Sequence, residues 1–148
     1  MKLAALVVLL AACGSSGYSG DAKIEYQGAT YEPNDGYVFF SGTTMLLSFG
    51  TASSACGVAF DSDLTQGLPP PGQYAQIRVS SVNTGTYSDT QMAIVDMGDN
   101  LAVDSLSGPV TITAADGGAV TGAVNVVQPD VDGGIGITGT FTVTVCTQ

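Results

Sequence analysis

The chain has 148 residues and carries 13 acidic against 3 basic side chains, for a net charge of −10. This balance excludes nucleic-acid binding, because phosphate recognition requires clustered lysine and arginine. The chain contains no histidine, which excludes Ser-His-Asp and Cys-His catalysis. We expect no enzymatic activity and no cofactor.

The first segment predicts an export signal. Lys2 is followed by an apolar run over residues 3–12, which is too short to span a bilayer and is typical of a cleaved signal peptide over 1–12. The sequence Leu10-Ala11-Ala12-Cys13 resembles the lipobox of bacterial lipoproteins. The resemblance implies that Cys13 becomes the acylated first residue, carries palmitate or a similar chain, and anchors the protein to the membrane of the cell envelope. In some bacteria, an aspartate directly after the acylated cysteine resembles a signal for retention in the inner membrane. This chain has Gly14 at that position, so the resemblance favours the outer membrane. The alternative is an ordinary secretory signal cleaved near Ala12.

The segment behind the anchor predicts a flexible connection. Residues 13–22 are rich in glycine and serine and show no apolar period, so we expect the lipidated N-terminus to continue as a tether. The remaining residues 23–148 have the size of one domain.

The composition of that domain favours an all-β fold. Charged residues make up 11% of the chain, against a usual figure of about 25%, while strand-forming residues are abundant. In the first half, period-two alternation predicts strands over 24–31, 37–41, 44–49 and 55–60, a turn over 33–36 and a proline-rich loop over 61–72.

The second half shows the same alternation more clearly. It predicts strands over 73–80, 90–97, 109–113, 119–126 and 135–145. The sequence Asp116-Gly117-Gly118 predicts a tight hairpin in which glycine supplies a positive φ. About eight or nine strands predict a single antiparallel β-sandwich, with a closed β-barrel as the alternative. The final strand resembles those of small β-rich envelope lipoproteins that have no characterised activity.

Two cysteines remain once Cys13 is assigned to lipid. Cys56 and Cys146 form an even pair in an exported chain, so we expect a disulfide between them. Strict alternation over 135–145 places Cys146 on the outer face, unless a bulge turns it inward.

Clustered aspartates suggest a second function class. Asp130 with Asp132, and Asp96 with Asp99, are candidate oxygen ligands for calcium, although the loop that starts at Asp130 does not match an EF-hand. Their alternative role is to satisfy backbone amides in solvated turns. A calcium- or carbohydrate-binding module is therefore the alternative function, and a paired-carboxylate hydrolase is less favoured.

One outward stripe suggests a binding surface. Alternation places Tyr74, Gln76 and Arg78 on one face of a strand, where a phenol and a guanidinium can combine stacking with hydrogen bonding to an envelope protein or a glycan. Ordinary strand surface with a paired Arg78 is the alternative. The favoured function is a non-enzymatic, lipid-anchored envelope lipoprotein in a structural or interaction role.

Overall fold

The computed structural model describes residues 17–26, 28–50, 73–96, 101–106, 108–128 and 134–146. Within these ranges the chain forms strands and turns and no helix, which confirms the all-β prediction. Twelve strands are present there: β1 (Tyr18–Gly20), β2 (Lys23–Tyr26), β3 (Ala29–Tyr31), β4 (Asp35–Ser41), β5 (Thr44–Gly50), β6 (Gln73–Val79), β7 (Gly85–Tyr87), β8 (Gln91–Asp96), β9 (Leu101–Leu106), β10 (Val110–Asp116), β11 (Ala119–Gln128) and β12 (Ile135–Val145).

All twelve strands belong to one continuous sheet. Nine of them follow the order β7-β10-β11-β12-β4-β5-β6-β8-β9, while β1 and β2 also pair with β12, and β3 pairs with β2. The sheet is mixed, because β12 and β4 run parallel. The prediction of eight or nine purely antiparallel strands is therefore wrong in number and in direction. Three-residue strands such as β1, β3 and β7 are too short to show alternation in the sequence.

The sheet is strongly curled, so that apolar side chains of distant strands meet in one core. Phe49 in β5 and Phe141 in β12 pack edge to face with their ring centroids 5.3 Å apart, although β4 lies between the two strands. Each large side chain buried in this way contributes about 1.5–3 kcal/mol. The largest fully buried residues are Tyr26, Phe49, Phe141, Ile24, Met45, Leu47, Ile77, Ile112 and Ile137.

Several predicted strands are confirmed. The strands predicted over 37–41 and 44–49 correspond to β4 and β5, which are joined through Gly42 at a φ of 60°. The hairpin around Gly117 and Gly118 joins β10 to β11, but neither glycine is among those with a positive φ. The prediction over 135–145 matches β12.

Other expectations are wrong. The strand predicted over 24–31 is a hairpin of β2 and β3, because Gly28 adopts a φ of 78° and reverses the chain. Asp35 was expected in a turn and instead begins β4. The strands β7 and β9 were not predicted.

The folded domain begins earlier than expected. β1 pairs with β12 over Tyr18, Ser19 and Gly20, so residues 17–22 belong to the sheet and the predicted tether over 13–22 is too long. This glycine- and serine-rich segment is ordered by its pairing with β12, a strand far away in sequence. Local composition does not reveal such contacts. The predicted leader and the predictions over 51–72 lie outside the described residues.

Candidate functional site

The feature most relevant to function is the place where the first described residues join the sheet. We call it the N-terminal junction and define it as Gly17, Tyr18, Asp35 and Tyr37. It lies where β1 and β4 occupy successive stretches of the same edge of β12: β1 pairs with residues 141–143 and β4 with residues 144 and 145. The junction therefore connects the N-terminal segment to the centre of the sheet.

A buried carboxylate organises the junction. Asp35 is 2% exposed, and its Oδ1 accepts hydrogen bonds from the amides of Gly17 and Gly36, each at 3.0 Å. Its Oδ2 accepts a hydrogen bond from the hydroxyl of Tyr37 at 3.0 Å. These three donors compensate for removing the carboxylate from water. Asp35 thereby fixes β1 against β4.

The protonation of Tyr37 matches this arrangement. Burial, together with the hydrogen bond to Asp35 and the negative charge of that residue, raises the pKa of Tyr37 to about 12. The hydroxyl therefore remains a hydrogen-bond donor at neutral pH. Tyr37 and Asp35 thus hold Gly17 against β4 through hydrogen bonds.

The N-terminal segment also contacts β12 and β5, in addition to Asp35 of β4. The amide of Thr144 donates a hydrogen bond to the carbonyl of Gly17 at 2.8 Å. The ring of Tyr18 packs edge to face on Phe49 with centroids 6.1 Å apart, and its hydroxyl accepts a hydrogen bond from the amide of Ala22 at 2.9 Å. Burial raises the pKa of Tyr18. A core aromatic contact and backbone pairing therefore act together on one short strand.

Asp21 extends the attachment beyond β1. Its Oδ1 accepts hydrogen bonds from the hydroxyl and from the amide of Thr140, both at 2.6 Å. These two hydrogen bonds lower the pKa of Asp21, because they stabilise the ionised form. The contact spans almost the whole chain and joins its first described segment to its last strand.

A polar row crosses the face of the sheet that is opposite the core. Tyr37, Ser48 and Gln76 are directly paired neighbours on β4, β5 and β6. Ser48 is 2% exposed and Gln76 is 8% exposed, so this face is covered as well. The side-chain nitrogen of Gln76 has no hydrogen-bond partner among the described residues, which costs free energy in a buried position.

The stripe predicted on β6 is only partly present. Arg78 is exposed, as expected, but Gln76 is buried. The backbone of Tyr74 lies in β6 opposite Gly50, and its side chain lies outside the described residues. Alternation assigned the correct face of the strand, but it could not report that Gln76 is buried on that face.

The other predicted site residues fall mainly outside the described ranges. Cys13, Cys56, Asp99, Asp130 and Asp132 lie there. The backbone of Asp96 ends β8, and its side chain lies outside the described part of the structure. In the part of the chain that the structure describes, no cluster of three or more His, Cys, Asp or Glu side chains is placed to hold a metal ion.

Cys146 lies directly after the end of β12. Its side chain is 8% exposed, and its amide donates a hydrogen bond to the carbonyl of Val38 at 2.9 Å. The preceding Val145 still packs against the core. The predicted bridge to Cys56 stays a prediction.

Sequence reasoning missed the junction. Asp35 and Tyr37 are two residues apart, so their side chains lie on the same face of a strand, and this spacing was the available signal. It was hidden because Pro33-Asn34-Asp35-Gly36 is typical of a turn.

Comparisons with known proteins do not assign this chain to a group. No protein-family model matches it, and no curated protein or solved structure matches it. Across the described ranges, no helix has the length and hydropathy needed to cross a membrane.

Proposed function

We propose that the chain is a lipid-anchored protein of the bacterial cell envelope, acylated at Cys13 and placed in the outer membrane. Its β-rich domain has a structural or interaction role without catalysis. The observation that carries the proposal is the N-terminal junction. Gly17 is buried and hydrogen-bonded to Asp35 and Thr144, and it lies only four residues after the candidate lipidation site.

The junction supports anchoring because an anchor must transmit force to a folded body. Two or three acyl chains on Cys13 would bind a bilayer lastingly, at about 0.8 kcal/mol per buried CH₂. The contacts of Gly17, Tyr18 and Asp21 then join that anchor to the centre of the sheet. The acidic net charge of −10 favours attachment by lipid over attraction to anionic headgroups.

The test is metabolic labelling with palmitate in intact bacteria, followed by detergent phase partitioning. We expect the wild-type chain to be labelled and to enter the detergent phase, and the C13S variant to be unlabelled and soluble. The matched control is S15A, which leaves Leu10-Ala11-Ala12-Cys13 intact and should behave as wild type. An unlabelled wild-type chain would contradict the proposal.

A disulfide between Cys56 and Cys146 is part of the proposal. Burial of Cys146 beside β4 suits a bridge that fixes the end of β12. A loop of about 90 residues closed in this way would stabilise the fold by about 4–5 kcal/mol on the chain-entropy model. Thiol labelling of the unfolded, unreduced protein should detect neither residue, and labelling of both would disprove the bridge.

We also propose a two-layered sandwich as the arrangement of the curled sheet. Buried residues of β5 and β6 and those of β11 and β12 contribute to one core, as two facing layers would. The strands β7 and β9 end the main path of the sheet. Nuclear Overhauser contacts between backbone protons of these two strands would instead indicate a closed barrel, because only closure pairs them.

A further inference from the structure

Three segments of the chain lie together at one end of the sheet. β12 ends at Val145, which pairs in parallel with Val38 of β4, so β4 continues beyond the end of β12 to its hairpin with β5. Ala119 pairs with Thr144, which places the turn between β10 and β11 at the same end. The N-terminal end of β1 is there too, because Gly17 accepts the amide hydrogen bond of Thr144.

The β4–β5 hairpin presents an exposed aromatic side chain at this end. Val38 and Phe40 lie on the same face of β4, yet Val38 is fully buried whereas Phe40 is 43% exposed, because β12, which lies beside β4, ends opposite Val38. Among the side chains that the structure describes, the only other exposed large apolar one is Val127. The hairpin sequence from Val38 to Leu47 carries no charged residue, so its entry into an interface requires no desolvation of a charged side chain.

The length of the connection limits how far the anchor can be from this hairpin. A chain spans at most about 3.6 Å per residue, so the four steps from Cys13 to Gly17 reach no farther than about 14 Å. Gly17 lies against Tyr37: a Cβ added to it would be 2.6 Å from Cε1 of that ring. Phe40 is three residues farther along the strand, about 10 Å away. The acylated residue and Phe40 can therefore reach the same bilayer surface.

We propose that the end of the domain formed by the β4–β5 hairpin and the turn at Gly117 and Gly118 faces the lipid bilayer, with Phe40 inserted into its interface. This inference rests on the proposed acylation of Cys13. The acyl chains supply the binding, and Phe40 fixes the orientation, because an aromatic side chain is favoured at the boundary between headgroups and hydrocarbon. The opposite end of β12 then points away from the membrane.

The absence of tryptophan from the chain allows a direct test. The F40W variant introduces a single indole whose emission reports its surroundings. Acylated full-length protein, with its acyl chains verified by intact mass, is inserted into preformed vesicles of phosphatidylcholine containing brominated phosphatidylcholine. We expect a blue-shifted emission that loses most of its intensity through bromine quenching.

The matched control is V127W. Val127 pairs with Gly136, about 30 Å along β12 from its end at Val145, and its indole should keep the emission it has without vesicles. Equal quenching of both variants, quenching of V127W alone, or quenching of neither would overturn the proposed orientation. A protein whose mass shows no acyl chain would instead contradict the proposed anchoring.

A second measurement uses the wild-type sequence, without a tryptophan substitution. Amide hydrogen exchange of acylated wild-type protein should slow at residues 41–44 when vesicles are added, while the turn between β2 and β3 stays unchanged. Unchanged exchange at residues 41–44 in vesicle-bound protein would contradict the insertion of the hairpin.

Discussion

The hydroxyl of Tyr37 donates a hydrogen bond to Oδ2 of Asp35 at 3.0 Å, at the point where the N-terminal strand meets the middle of the sheet. The Tyr37→Phe substitution keeps the ring and removes this donor. We expect it to lower the free energy of unfolding by about 1–3 kcal/mol, because a buried carboxylate loses one of its hydrogen-bond donors. Denaturant titration measures this change. The control is Tyr87→Phe, because the hydroxyl of Tyr87 donates to the exposed backbone carbonyls of Asn83 and Thr84. Equal effects of both substitutions would contradict the role of Asp35.

The same pair predicts a dependence of stability on alkaline pH. Tyr37 has its pKa raised from 10.0 to about 12 in the folded state. Its contribution to stability is therefore complete below pH 10 and is lost as the pH rises toward 12, because the unfolded chain then releases a proton that the folded chain retains. Melting temperatures of wild type should fall more steeply over this window than those of Tyr37→Phe. Parallel curves would show that Tyr37 is not responsible.

Asp21 is expected to make stability depend on acidic pH, in the direction opposite to that of Tyr37. The pKa of Asp21 is lowered by the hydrogen bonds from Thr140, so its contribution is present above the pKa of the unfolded chain and is lost as the pH falls through the folded value. Asp21→Asn should weaken the fold at neutral pH and flatten the loss of stability in acid. The control is Asp116→Asn, at an exposed position of β10. If Asp21→Asn leaves the acid limb unchanged, the contact with Thr140 does not stabilise the fold.

Gly17 predicts a steric effect at the junction. A Cβ there would lie 2.5 Å from the carbonyl oxygen of Gly36, so Gly17→Ala must displace the backbone of β1 or β4. We expect a loss of about 1–3 kcal/mol, as for overpacked sites. Gly117→Ala is the matched control, because its Cβ would meet nothing within 4 Å and should change stability by less than about 0.5 kcal/mol. A neutral Gly17→Ala would show that β1 is not tightly packed on β4.

We expect an apolar substitution of Gln76 to increase the stability of the fold. Its side-chain nitrogen is buried and has no hydrogen-bond partner in the part of the chain that the structure describes, so Gln76→Met removes an uncompensated polar group at similar volume. We expect the free energy of unfolding to rise by about 1 kcal/mol. Gln128→Met, at an exposed position of β11, should not stabilise the protein. A loss of stability in Gln76→Met would mean that the amide is satisfied in solution.

The sequence was informative where a strand is long and one face is buried. The bounds of β12 were predicted because Ile137, Phe141 and Val143 alternate with threonines over eleven residues. The hairpin of β10 and β11 was predicted because Gly117 and Gly118 interrupt two alternating runs. In both cases the signal is local, since hydrophobic periodicity and turn residues lie within one segment.

The features of the fold that could not be predicted depend on contacts between residues that are distant in sequence. Tyr18 lies in a segment of glycine and serine, and its packing on Phe49 cannot be inferred from its neighbours in sequence. The parallel pairing of β12 with β4 requires β4 to follow the first residue of β1 along the same edge of β12, which no local pattern encodes. The burial of Gln76 could not be predicted either, because alternation only separates one face of a strand from the other.

The position of β12 has a consequence for biogenesis. It pairs with β11 along one edge and with β2, β1 and β4 along the other, so the nascent polypeptide lacks the centre of its sheet until synthesis has reached Val145. Pairings of such large sequence separation form slowly. In a precursor exported as proposed above, the early strands lack their central partner while they are translated, which favours the unfolded state that passage through a secretion channel demands.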